Sequence, residues 1–149
     1  MSLSDSAESD LLRLLFNNTT WSGVGDATGI VGSGTAGSLF VALHTADPGE
    51  TGTQSTNEIS YTGYARVAVA RSTGGWTVSG TAPTQVANAA TVTFGACTAG
   101  SGTATHFSIG KTSSGATEII DSGPLTASLA ISAGITPSFA VGALVVQVD

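Results

Sequence analysis

Apolar residues along this chain fall into short runs with a two-residue period, separated by glycine, serine and threonine. The clearest run is 39–43, Leu-Phe-Val-Ala-Leu. Leu39, Val41 and Leu43 point to one side of a strand, and Phe40 and Ala42 to the other. Both faces are apolar, which predicts a strand buried between two layers. Asp47-Pro48-Gly49 closes the run as a turn, because proline fixes φ and glycine accepts a positive φ. A second strand is predicted over 61–71, with Ala65, Val67 and Val69 on one face and Tyr64 beside Arg66 on the other. Trp76 and Val78 give a short third strand. Val86 with 90–94 gives another, alternating at Val92 and Phe94. In a strand over 104–110, Phe107 and Ile109 face inward, and His106 and Ser108 face outward or across the sheet. Ser113-Ser114-Gly115 reads as a hairpin turn, and 118–121, 125–131 and 143–148 supply the last strands.

One stretch has a different period. Over 5–16, Leu11 with Leu15 and Leu12 with Phe16 are spaced four apart, which with Leu14 makes a wide apolar helical face. Asp5 followed by Glu8 has the spacing of a capping box, Asp10 adds negative charge near the positive end of the helix dipole, and Asn17-Asn18 ends the helix. That face covers one edge of the chain's own sheet or docks on another subunit. The predicted organisation is an amphipathic helix over 1–18, a glycine-rich loop or arm over 19–38, and a single β-sandwich domain over 39–149. About eight short strands spaced some ten residues apart predict a mainly β, antiparallel sandwich of jelly-roll type, with an immunoglobulin-like sandwich as the alternative.

Composition narrows the function classes. The chain has 149 residues, enough for one domain with a proper core. Only 9% of residues are charged while 41% are hydrophobic, the reverse of a disordered chain. Ten acidic residues against four Lys and Arg cannot neutralise a run of phosphates, so no nucleic-acid partner is expected. Cys97 is the single cysteine, which excludes an internal disulfide and a cysteine-based zinc site. The N-terminus lacks a basic n-region and no apolar run approaches the roughly 20 residues of a membrane span, so neither a signal peptide nor a membrane partner is expected.

Candidate chemistry is sparse. Gly32-Ser33-Gly34-Thr35-Ala36-Gly37 matches the dinucleotide fingerprint in letters, but a strand-like run follows it where a helix is needed. Gly110-Lys111-Thr112 resembles the end of a phosphate loop, whose leading glycine would stand where Thr105 is. There is no G-x-S-x-G elbow, and His44 and His106 lie in plain strand contexts, His44 where its strand leaves the core. Asp47, Glu50 and Glu58 lack the alternating oxygen donors of a calcium loop and read as solvated loop acids. No nucleophile, base and orienter stand together. The residues therefore point to a structural protein with no catalytic, cofactor-binding or metal-binding set.

Five segments carry a resemblance: Val41-Ala-Leu-His-Thr-Ala-Asp-Pro-Gly-Glu50, Gly63-Tyr-Ala-Arg66, Asn88-Ala-Ala-Thr-Val-Thr-Phe94, Thr105-His-Phe-Ser-Ile-Gly110 and Thr136-Pro-Ser-Phe-Ala-Val-Gly-Ala-Leu144. In this order they resemble a family of small virion proteins of tailed bacteriophages, labelled head-decoration (cement) protein or tail-fibre protein. The resemblance runs from Leu11 onward, and segment 23–37 is longer than is usual in the family. It implies jelly-roll subunits that form dimers or trimers and clamp neighbouring major capsid proteins on the outer surface of the capsid, after assembly in the host cytoplasm. The alternative it implies is a tail or tail-fibre component. The expected partner interface comprises Leu11, Leu12, Leu15 and Phe16 on the helix, Tyr64 and Arg66 on the second strand, and Asp47, Glu50 and Glu58 in the intervening loop.

Overall fold

A computed structural model describes residues 3–80 and 83–148. Among these residues the chain is mainly β with a single helix, α1, at Asp5–Asn17. The strands are β1 Ser38–His44, β2 Val67–Ala70, β3 Trp76–Ser79, β4 Thr84–Asn88, β5 Val92–Thr93, β6 Ser101–Gly110, β7 Ile119–Ser132, β8 Ser138–Phe139 and β9 Val145–Val148. They form sheets in the orders β2-β1-β6-β7, β3-β4-β9 and β5-β8. Every pair with a defined register is antiparallel, as expected for a sandwich. The jelly-roll form is not confirmed, because the sheets hold four, three and two strands. The chain divides into two compact units: Met1–Ser38, Ala70–Thr91 and Ala140–Asp149 in one, Leu39–Val69 and Val92–Phe139 in the other.

In the first unit Ser4, in extended conformation, caps α1, its Oγ accepting from Ala7 N at 3.4 Å. The expected cap, Asp5, is already helical and adds charge to the first turn. Asn18 ends the helix in the left-handed region at φ 56°. Glu8, Leu12 and Phe16, spaced by four, form the buried stripe, and α1 lies against β3 and β4. Phe16 meets Trp76 edge to face, with ring centroids 5.0 Å apart. Arg71 finishes the unit. Its guanidinium donates to Leu14 O and Leu15 O at 2.7 Å each, where the helix dipole is negative, and to Ser33 Oγ and Ala36 O in the glycine-rich loop. That loop is also tied to the helix end, where Asn18 exchanges hydrogen bonds with the backbone of Ser33 at 2.7 and 2.8 Å. The loop runs into β1, so no helix N-terminus follows the fingerprint-like glycines.

The second unit is built around β1, whose residues Val41 to His44 are all buried, as its two apolar faces predict. On one face Leu43 pairs with Phe107, and an aromatic row continues through Phe139, Phe94, Tyr64 and Tyr61. On the other, Ala42 pairs with Ser108, and His44 with His106. The segments expected as separate strands at 118–121 and 125–131 form one strand, β7, at the sheet's edge. Pro124 is tolerated there because an edge strand leaves half of its N–H groups unpaired. Between its pairings with His106 and Ala104, β7 bulges over 125–128. A proline and a bulge both guard an edge against strand addition.

Because Phe16 is 1% exposed and packed edge to face on Trp76, it is core rather than spare surface. Phe16→Ala is expected to lower stability by about 3–5 kcal/mol. Denaturant titration followed by tryptophan fluorescence measures this, and a loss under about 1 kcal/mol would take the helix face out of the core.

Candidate functional site

In the second unit the chain from 54 to 66 folds around one arginine. The expected strand over 61–71 begins only at Val67, because residues 61–64 make a turn in which Tyr64 N bonds to Tyr61 O at 3.0 Å. Gly63 sits there at φ 103°, and an added Cβ would lie 2.2 Å from Ala96 O, so glycine is required. Tyr64 and Arg66 are therefore not side by side on an outward strand face. Both turn to Glu58. Arg66 Nε donates to Glu58 Oε1 at 2.8 Å and Nη2 to Oε2 at 2.7 Å, a bidentate pair, and Tyr64 Oη donates to Oε1 at 2.9 Å.

The remaining guanidinium protons are also taken. Nη1 donates to Gln54 Oε1 and Thr112 O, and Nη2 to Ser55 Oγ and Gly115 O. Arg66 is 8% exposed, and its hydrogen bond to Glu58 raises its already high pKa further. Burial holds the Tyr64 phenol well above its ordinary value, so it stays a neutral donor. Beneath this cluster Gln54 Nε2 donates to Phe40 O at 2.8 Å, and its side chain lies across Gly110, where an added Cβ would come within 2.2 Å of Gln54 Cδ. Gly110, the last residue of β6, is thus a close-approach glycine and no part of a phosphate loop; Lys111 pairs with Glu118.

A cleft of about 560 Å³ opens above the cluster, lined by Ser55, Glu58, Tyr64, Arg66, Ser114 and Gly115 among others. Its floor has little to offer a charged ligand, because the cation is spent on the protein's own acceptors. Asp47 and Glu50 lie exposed in the turn after β1 and do not line it. Asp47 shapes that turn, its Oδ1 accepting from Gly49 N at 2.8 Å.

Of the expected partner-interface residues, the structure joins Tyr64, Arg66 and Glu58 and leaves the others apart. Arg66 is buried with its donors satisfied inside its own unit, and Leu12 and Phe16 are covered within theirs, the alternative in which the helix face packs on the chain's own sheet, while Leu11 and Leu15 are half-buried. His44 is fully buried in the core and not at its margin, with Nδ1 2.8 Å from Thr56 O and Nε2 2.7 Å from Ser108 Oγ. Sequence reasoning missed Gln54 altogether; the glycine that ends the strand at 110 was the one sign of a close neighbour. Among the described residues no group of three His, Cys, Asp or Glu is placed to hold a metal, and no helix is long and apolar enough to cross a membrane.

Antiparallel sheets and a polar cluster bound to its own loops define a mainly β protein with an internally satisfied cleft. Residues 2–147 match the family model described as podophage GP4 fiber I protein gp80, and the chain belongs to that family. No curated protein matches it. The match supports the bacteriophage virion part of the resemblance and the fibre label; it does not support the head-decoration label specifically.

Gly110→Ala is expected to expel the Gln54 side chain and lower stability by about 1–3 kcal/mol. Thermal denaturation checks it, and an unchanged midpoint would mean that Gln54 is not fixed where it lies.

Proposed function

We propose that this protein is a structural component of a phage fibre, acting by assembly and not by catalysis. The family match over residues 2–147 is the observation that carries this reading. The fibre label favours the tail or tail-fibre alternative over the capsid clamp, and with it partners within the fibre, further copies of the same chain included, over the major capsid protein. The geometry supports a non-catalytic role. Ser108 and His44 are hydrogen-bonded as a nucleophile and base would be, yet both are fully buried, and a backbone carbonyl stands where a triad carboxylate would orient the imidazole.

Gold-labelled antibody against this protein, imaged on intact particles, tests the proposal. Label on fibres with a bare shell is expected. Label spread over the capsid shell would overturn it and restore the decoration reading.

A further inference from the structure

The loop over 51–58 forms one wall of the cleft and is fastened to β1 through a histidine with no access to water. His44 stands in a cross-strand row with Glu58 on one side and His106 on the other. Its Nδ1 faces the Thr56 carbonyl, which can only accept, so Nδ1 carries a proton. Nε2 is then the acceptor and takes the Ser108 hydroxyl proton. Ser108 Oγ is in turn approached by Gln54 Nε2 at 3.5 Å, and Gln54 receives Arg66. The arrangement fits neutral imidazole. A second proton, on Nε2, would oppose the Ser108 donor and place a cation in the core.

The charged and titratable neighbours do not rescue that cation. Glu58 would favour it, but both its oxygens are already engaged by Arg66 and Tyr64. Arg66 and His106 oppose it, Tyr64 is neutral, and burial outweighs the rest, holding His44 below its ordinary value. The loop's backbone ties beside the histidine are few: Thr45 N to Asn57 O, Ile59 N to Leu43 O and Gln54 N to Thr117 O. The neighbouring β1–β6 ladder runs through five register pairs. Local opening of the loop is therefore the less costly way to admit a proton.

We propose that His44 is an acid-released latch, which holds Thr56 and Asn57 on β1 while neutral and lets that part of the loop lift away once protonated. Glu58 stays closed on Arg66, and the four-stranded sheet is intact in both states. The sign follows from linkage. The open state binds the extra proton, so closure is fully favoured above the ordinary histidine value near 6.5 and weakens as pH falls below it. One linked proton makes the open population rise by up to about tenfold per pH unit.

Hydrogen exchange by NMR from pH 7.5 to 4.5, normalised for the intrinsic pH dependence, tests this on the whole chain. Protection of the Thr45 amide, whose acceptor is Asn57 O, is expected to fall by up to about tenfold per unit below pH 6.5, while the β1–β6 ladder amides hold theirs. His106→Gln is expected to keep that slope. Thr45 protection that does not change, Thr45 and ladder amides falling together, or a slope abolished by His106→Gln would each overturn the latch.

Discussion

The second unit depends on a buried cation having its own anion. Arg66 is almost wholly enclosed, and removing such a charge from water costs several kcal/mol unless geometry returns it. The return comes from the planar fork of guanidinium on Glu58 and from four further acceptors contributed by the 51–58 loop and the hairpin after β6. Those segments have few apolar side chains with which to hold a conformation. Satisfying Arg66 gives them one, and Gln54, Ser108 and His44 carry the constraint on to β1 and β6.

Scarcity of charge gives this arrangement its wider meaning. The chain has four Lys and Arg residues. Arg66 holds the loops of one unit and Arg71 the helix end and glycine-rich loop of the other, while Arg13 and Lys111 pair with Asp10 and Glu118 at the surface. Both arginines are spent internally, Arg66 buried and Arg71 half-buried, and neither leaves a basic patch for an anionic partner.

Much of the framework was legible in the sequence. The two apolar faces of 39–43 marked β1 as buried, and the four-residue spacing of Leu12 and Phe16 marked α1. What failed did so for local reasons. Alternation over 61–71 mimics a strand, but the positive φ at Gly63 and its contact with Ala96 O turn the chain before Arg66. Separate strands were expected over 118–121 and 125–131, yet one edge strand passes through Gly123-Pro124. Asp5 has the spacing of a capping residue, but Ser4 stands one position earlier with an extended backbone. The candidate site was half visible. Tyr64, Arg66 and Glu58 were each singled out, but nothing in their spacing shows that they face one another, and Gln54 has no pattern at all. Long-range polar partners have no period.

The central claim is that the Glu58–Arg66 pair holds the second unit together as a pair, and a double-mutant cycle addresses it most directly. Glu58→Gln, Arg66→Met and the combined variant would be compared with the natural chain by denaturant titration. The account predicts that each single change is more damaging than the double, because each strands a partner, with a coupling energy above about 2 kcal/mol. Additive losses, with a coupling below about 0.5 kcal/mol, would contradict it.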